Sequence, residues 1–202
     1  AALAAAAARR PEAAMLGCRI LFEQTPDRVD NLGHLLYWDG LNRGRGRMRR
    51  ADDPAWEGEQ EVFFPSGCAG AYRADLLAEV GLFDEWFHSY GEDADLGLRC
   101  RRAGARCFYV PDALVYHRFS ASAGAHSARK AFLVERNRIA VLVRNLPWPL
   151  LLLSPAATLW RLLLHFLAAL LGRGSAGEGS RSTGPLPLAL AQAGRLKKVG
   201  AT

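Results

Sequence analysis

The chain has 202 residues, enough for one ordinary domain with a sizeable core, and half of them are hydrophobic. Its formal net charge of +6 at pH 7 favours anionic partners. The four cysteines, Cys18, Cys68, Cys100 and Cys107, show no C-x-x-C spacing, which argues against a disulfide framework or a zinc site.

Residues 1–10, AALAAAAARR, have strong helix propensity but lack the charged start, apolar centre and cleavage pattern of a signal peptide. They read as the end of an amphipathic helix whose beginning is missing. Leu16–Phe22 predicts a buried strand, central because its apolar residues nearly run together. From Glu23 to Gln60 the chain turns polar, with a basic run RGRGRMRR at 43–50. No aromatic residues interleave with that run to stack bases, and Asp52, Asp53, Glu57, Glu59 and Glu61 follow closely. Nucleic acid is therefore not the expected partner; a solvated loop near an anionic substrate or membrane surface is. Glu61–Pro65 predicts a short strand, followed by a small-residue turn at Ser66–Ala71 whose Gly67 and Gly70 permit close backbone approach.

The most informative stretch is FDEWFHSYGEDADLGLR at 83–99. Leu96, Cys100 and Ala103 recur at helical spacing, Arg99, Arg101 and Arg102 gather toward the far end, and Gly104 follows where a left-handed cap belongs. Glu92, Asp93 and Asp95 then occupy the first turn. Unpaired backbone N–H groups and the positive end of the helix dipole favour ionised carboxylates there, the state a general base needs. The same pattern serves equally as helix capping. Arg106–Val110 predicts a strand, Pro111-Asp112 a turn, and Ala113–Tyr116 a second extended run ending on His117. Ligands gather at the carboxyl ends of strands in α/β sheets, and the small polar loop after His117 would line a cleft there. A lone His is nonetheless more often structural than a metal ligand.

Ser127–Asn145 predicts a helix with an apolar side and a basic one. The segment WPLLLLSPAATLWRLLLHFLAALL, 148–171, is long enough to span a bilayer but is interrupted by Pro149, Pro155, Arg161 and His165. It reads as a helix in the bilayer interface from Ser154 to Leu171, or as part of a buried helix pair packed on the domain. Residues 172–184 read as a flexible linker, and Pro185–Lys198 as a weakly amphipathic helix with a basic end.

The Gly-Glu-Asp-Ala-Asp-Leu-Gly-Leu-Arg run at 91–99, the Tyr109-Val110-Pro111 strand end and Tyr116-His117 with Ser120 and Ser122 together resemble inverting glycosyltransferases of family 2. The bacterial rhamnosyl- and galactofuranosyltransferase-like enzymes are the nearest subgroup, and the resemblance covers Met15 to Asn145. It implies an α/β fold: residues 1–145 form a partial GT-A, or nucleotide-diphospho-sugar transferase-like, domain with the acceptor-binding and catalytic-base parts. An apolar membrane-interface segment at 146–171 and a linker with a basic tail at 172–202 would follow. The resemblance also implies a helix at Arg73–Val80 capped by Gly81, and a two-stranded excursion around Asp30–Gly33 and Trp38–Gly40.

By the same resemblance Asp93 is the catalytic base, Glu92 shapes the acceptor site, and His117 helps hold a divalent metal, Mg²⁺ or Mn²⁺, on the donor's diphosphate. The donor would be a UDP- or dTDP-sugar, the acceptor a glycan or lipid-linked sugar, and the place the cytoplasmic face of the cell membrane during envelope polysaccharide synthesis. No Gly-rich phosphate loop or Asp-x-Asp after an apolar strand occurs in the sequence, so the donor-binding half is expected to be missing. A non-catalytic remnant or subunit that binds membrane or a partner glycosyltransferase is the alternative. A metal-dependent hydrolase is weaker, since no H-x-x-x-H cluster occurs.

Overall fold

The computed structural model describes residues 1–118 and 127–171. The expected Ser120–Ser122 cleft loop, the linker and the basic tail lie outside these residues. In chain order the elements are α1 (Ala2–Arg9), β1 (Ala13–Phe22), β2 (Val29–Asn31), β3 (His34–Leu36), β4 (Asn42–Gly44), β5 (Gln60–Val62), β6 (Gly70–Tyr72), α2 (Ala74–Val80), α3 (Glu92–Arg102), β7 (Arg106–His117), α4 (Ala128–Asn145) and α5 (Trp148–Leu170).

The apolar run of β1 becomes the centre of a five-stranded mixed sheet. It pairs in parallel with β7 along nearly its whole length, and β5 pairs antiparallel with β7 beyond. On its other edge β1 takes β6 along its first half and β2 along its second, both antiparallel. Because side chains alternate across a strand, the two central strands feed two cores. Met15, Leu21, Cys107 and Tyr109 enter the larger one with Phe63, Phe64, Leu96 and Val141. Leu16, Cys18, Ile20, Phe108 and Val110 enter a smaller one, to which α1 contributes Ala6.

The expectations for Pro111-Asp112 and for the basic run change. Pro111-Asp112 is not a turn between two strands: Cys18 lies opposite Val110 and Arg19 opposite Leu114, so residues 111–113 bulge out of one continuous strand. Pro111 lacks the N–H a ladder needs, and the pairing on either side closes over the defect. The basic run is not an open solvated loop either. Arg45 bonds Leu32 O and Gln60 and lies over the Trp56 and Tyr109 rings, Arg47 pairs with Asp30, Arg49 with Asp53, and Arg50 with Asp52. Downstream acids pair with Arg49 and Arg50, while Arg47 is paired from upstream by Asp30.

Helix α3 lies against the larger core through a missing side chain: a Cβ at Gly97 would collide with the Phe64 ring. Close approach of helix to chain is what this glycine provides. The segment entering α3 is held from α4. Asn137, fully buried, donates its amide to the carbonyls of Phe87, Ser89 and Tyr90 at 2.9, 2.9 and 2.6 Å. Arg136 bonds Trp86 O and Phe87 O and stacks on the Trp86 ring. These contacts fix a segment in which two non-glycine residues, His88 and Tyr90, have φ of 62° and 69°. Arg136 thereby acts as a clamp on the segment that enters α3.

Helix α5 runs unbroken from Trp148 through Pro155, beyond the Ser154 start expected from sequence. Pro155 cannot donate to the Leu151 carbonyl, and the Ser154 hydroxyl does so instead at 2.9 Å. The helix turns its polar stripe inward. Arg161 pairs with Asp39 at 2.5 Å and with Glu135 at 3.0 Å, and Thr158 accepts a hydrogen bond from Arg138 at 3.3 Å. Leu152, Leu159, Trp160, Phe166 and Leu170 are each more than half exposed on the outside.

Asp39 has no solvent exposure, and removing its ionic partner would leave a charge stranded in the interior. Arg161→Met should therefore cost about 3–5 kcal/mol of unfolding free energy in urea titration, against about 0.5 kcal/mol or less for Leu162→Ser on the exposed face. Gly97→Ala should cost about 1–3 kcal/mol through the Phe64 collision, read from the same titration.

Candidate functional site

The three carboxylates at the start of α3 divide into two kinds. The helix begins at Gly91 in the left-handed conformation, φ 89°, with no side-chain cap. Asp95 is structural: it accepts from Asn145 of α4 at 2.8 Å and from Arg99 at 2.9 Å, at 3% exposure. Its position one turn into the helix ties α3 to α4. Glu92 and Asp93 instead face the Ser66–Ala69 turn, where a Cβ on Gly67 would lie 3.3 Å from Asp93 Cβ and 3.6 Å from Glu92 Oε1. The small-residue turn noted in the sequence is what lets the backbone reach the carboxylates.

Asp93 is buried and densely bonded. Its Oδ2 accepts from the Gly67 amide at 3.0 Å and lies 3.1 Å from His34 Nε2; its Oδ1 accepts from the Ala94 amide at 2.8 Å. Burial alone would push its pKa up, but the His34 imidazole and the two amides outweigh it and hold Asp93 below the ordinary carboxylate value. Glu92 goes the other way: burial, then the adjacent Asp93 charge, push it up, and its Oε2 is buried without a hydrogen-bond partner. Tyr72, whose hydroxyl is likewise buried and unpartnered, is pushed up by burial and by Asp93. Two neighbouring carboxyls with oppositely displaced pKa values are a recurrent mark of acid–base sites.

His117 ends β7, as expected from sequence, and its backbone carbonyl accepts from Glu23 N at 3.0 Å. Its Nδ1 lies 2.7 Å from Asp30 Oδ2 on β2, and Asp30 is also paired with Arg47. Asn31, the next residue, places Nδ2 3.1 Å from His34 Nε2. One short strand therefore supports both histidines, Asp30 holding His117 and Asn31 touching the His34 that holds Asp93. The exposed Cys68 follows Gly67 on the turn, its thiol pushed up by partial burial and then by the Asp30 charge. Cys18, Cys100 and Cys107 are free and buried, as expected for structural thiols.

His34, Asp30 and Asn31 were not singled out by sequence reasoning. Residues 29–34 are buried without alternation, so no period separates polar site residues from core. The one legible signal is that Asp30, Asn31 and His34 are polar side chains among the apolar Val29, Leu32, Leu35 and Leu36.

Among the described residues no group of three or more His, Cys, Asp or Glu side chains is gathered to hold a metal. The donor set present is one imidazole backed by a carboxylate, the arrangement that fixes the tautomer and orientation of metal-binding histidines. Among the described residues, that set fits an ion held mainly by a substrate's phosphate oxygens and water.

A family model for glycosyl transferase family group 2 matches residues 1–191. Two curated proteins of Mycobacterium tuberculosis are similar over shorter stretches. An N-acetylglucosaminyl-diphospho-decaprenol L-rhamnosyltransferase is 35% identical over 88 residues, 39% of this chain and 29% of that protein. A pre-mycofactocin glycosyltransferase is 44% identical over 71 residues, 35% of this chain and 15% of that protein. The chain thus spans less than a third of the length of the curated relatives it matches. The mixed α/β sheet flanked by helices agrees with a GT-A-like domain, and the family match covers both the Asp93 and the His117 groups. This chain belongs to glycosyl transferase family group 2.

Proposed function

We propose that this protein carries the acceptor site and catalytic base of an inverting glycosyltransferase that moves a sugar from a UDP- or dTDP-sugar to a glycan or lipid-linked acceptor in cell-envelope polysaccharide synthesis. The observation that carries the reading is Asp93, a buried carboxylate kept ionised by His34 and two amides at the edge of a turn built from small residues. An acceptor hydroxyl is a poor nucleophile, and a positioned carboxylate that takes its proton lets the oxygen attack the anomeric carbon opposite the departing diphosphate. Attack from that face inverts the anomeric centre. Glu92, adjacent and pushed toward its protonated form, is suited to hydrogen-bond an acceptor hydroxyl. His117, oriented by Asp30, would hold a divalent cation such as Mg²⁺ or Mn²⁺ together with the donor's diphosphate. When bound, that ion neutralises charge developing on the leaving group.

We further propose that the protein works on the cytoplasmic face of the membrane. Helix α5 is long and apolar enough to cross a bilayer, yet its polar stripe is consumed by the domain, which favours a helix lying in the interface with its outer side chains in lipid. Phe132, Ile139 and Val143 extend the exposed apolar surface along α4. The decaprenol-linked sugar named for the mycobacterial rhamnosyltransferase is a substrate of the kind such a surface would serve.

With the donor-binding half supplied, Asp93→Asn should lower transfer by about 10²–10⁴-fold while leaving nucleotide-diphosphate affinity nearly unchanged in titration. Equal loss of donor affinity refutes the base assignment. Transfer should persist on acidification until Asp93 protonates below the ordinary carboxylate range, because a depressed pKa keeps the base ionised above that point. His117→Ala should weaken Mn²⁺-dependent binding of UDP or dTDP, and an unaltered metal dependence would sink that role. In flotation with anionic vesicles the protein should rise with lipid, and serines at Leu159, Trp160 and Phe166 should leave it at the bottom; flotation unchanged by the serines counts against the interfacial helix.

A further inference from the structure

The ring of His34 is fixed on every side. Its backbone N–H donates to Phe64 O at 3.0 Å, and the imidazole stacks on the Phe64 ring at a centroid distance of 5.1 Å. The side chain is almost completely buried. Nε2 is 3.1 Å from Asp93 Oδ2, and Nδ1 is 3.5 Å from the Asn42 amide nitrogen.

The proton's position follows from these neighbours. A lone pair on Nε2 turned toward an ionised carboxylate would repel it, whereas an N–H there makes a charge-assisted bond. Asn31 Nδ2 also lies 3.1 Å from Nε2, its amide orientation set by Asn31 Oδ1 accepting from Gly33 N at 2.8 Å. That neutral contact is the weaker claim on the same nitrogen. Asn42 places its amide 3.5 Å from Nδ1, and the bond to Oδ2 requires only that Nε2 carry a proton, whatever Nδ1 carries.

We propose that His34 is a positioning residue for Asp93: its Nε2–H occupies Oδ2 and so makes Oδ1 the oxygen that takes the acceptor's proton. This rests on the reading of Asp93 as the base. A carboxylate oxygen has two lone-pair directions. Those of Oδ2 are filled by the Gly67 amide and His34, while Oδ1 has accepted only the Ala94 amide. In the transfer step the acceptor O–H bond breaks and its proton goes to Oδ1. The freed oxygen bonds to the anomeric carbon as the carbon–oxygen bond to the diphosphate breaks, its electron pair leaving with the diphosphate. The titratable groups facing Asp93 are His34, Glu92 and Tyr72; Tyr72 stays protonated and Glu92 is pushed toward protonation, so His34 alone among them favours the charge.

The test is nuclear magnetic resonance on the 202-residue chain, with transfer read when the donor-binding half is supplied. Nitrogen-15 shifts of His34 in the unaltered protein should show the proton on Nε2 at neutral pH; a lone pair on Nε2 overturns the proposal without any variant having to fold. Carbon-13 at the Asp93 carboxyl, followed through acid titration, should move little in His34→Gln, whose side-chain N–H reaches the Nε2 position. It should shift up by about one pH unit in His34→Asn, which is too short, and the acid limb of transfer should shift with it. Coincident midpoints in the two variants overturn the proposal and leave the base assignment standing. Transfer retained by Asp93→Asn overturns the base assignment, and this proposal with it.

Discussion

The arrangement depends on a buried charge that must be neutralised. Asp39 lies in the turn between β3 and β4, without solvent exposure, and an isolated carboxylate there would be costly. Arg161 of α5 answers it, Glu135 of α4 shares the guanidinium, and Arg138 of α4 donates to the Asp39 carbonyl. Next to it, Gly40 has room only for hydrogen, since a Cβ would strike Leu142 of α4. The tip of this hairpin is therefore gripped by both C-terminal helices. Its other end starts with His34, the residue against Asp93. A helix pair remote in sequence thus fixes the strand that fixes the carboxylate.

The first turn of α3 shows why identical side chains in adjacent places do different work. Asp93 and Asp95 share chemistry and helix, yet they point to different surroundings. Asp95 meets Asn145 and Arg99 and joins two helices. Asp93 meets backbone amides and an imidazole, groups that stabilise its charge without occupying every oxygen lone pair. Glu92, beside it, finds no such partner for Oε2. Burial without compensation raises one carboxyl, and burial with compensation lowers its neighbour. The helix dipole, which the sequence pattern brings to mind first, acts on all three and cannot separate them.

What was legible in the sequence followed from periodicity and from chain-local chemistry. The helical spacing of Leu96 and Cys100, the cap at Gly104 and the apolar run of β1 each report on neighbours within a few residues, and each is found in the fold. Pro111 misled because its local effect, a missing N–H, is real but is overridden by long parallel pairing with β1. The Arg/Gly run misled for the same reason, since its partners Asp30, Trp56 and Tyr109 come together only in the folded chain. Asp93 could be picked out because it sits in a recognisable motif. His34 could not, because its meaning arises from a contact across the fold with a strand that shows no alternation.

If the protein attaches to membrane as proposed, the orientation of α5 fits a lateral role and not a spanning one. A helix that crosses a bilayer as a lone span must present apolar side chains all round, and α5 does not: Ser154, Thr158 and Arg161 recur on one stripe and are bonded to themselves and to the domain. Drawing α5 to the bilayer midplane would either break Arg161 from Asp39 or carry Asp39, Glu135 and Arg138 into hydrocarbon with it. Each is opposed by the cost of a charge in that medium. The opposite face carries large apolar side chains, and burying one fully is worth about 1.5–3 kcal/mol. A bilayer interface reconciles the two faces, since it takes up the outer side chains while the inner stripe stays on the protein. On that proposal the helix that lies on lipid is the same one that closes on Asp39, so membrane attachment and the placement of His34 share one structural element.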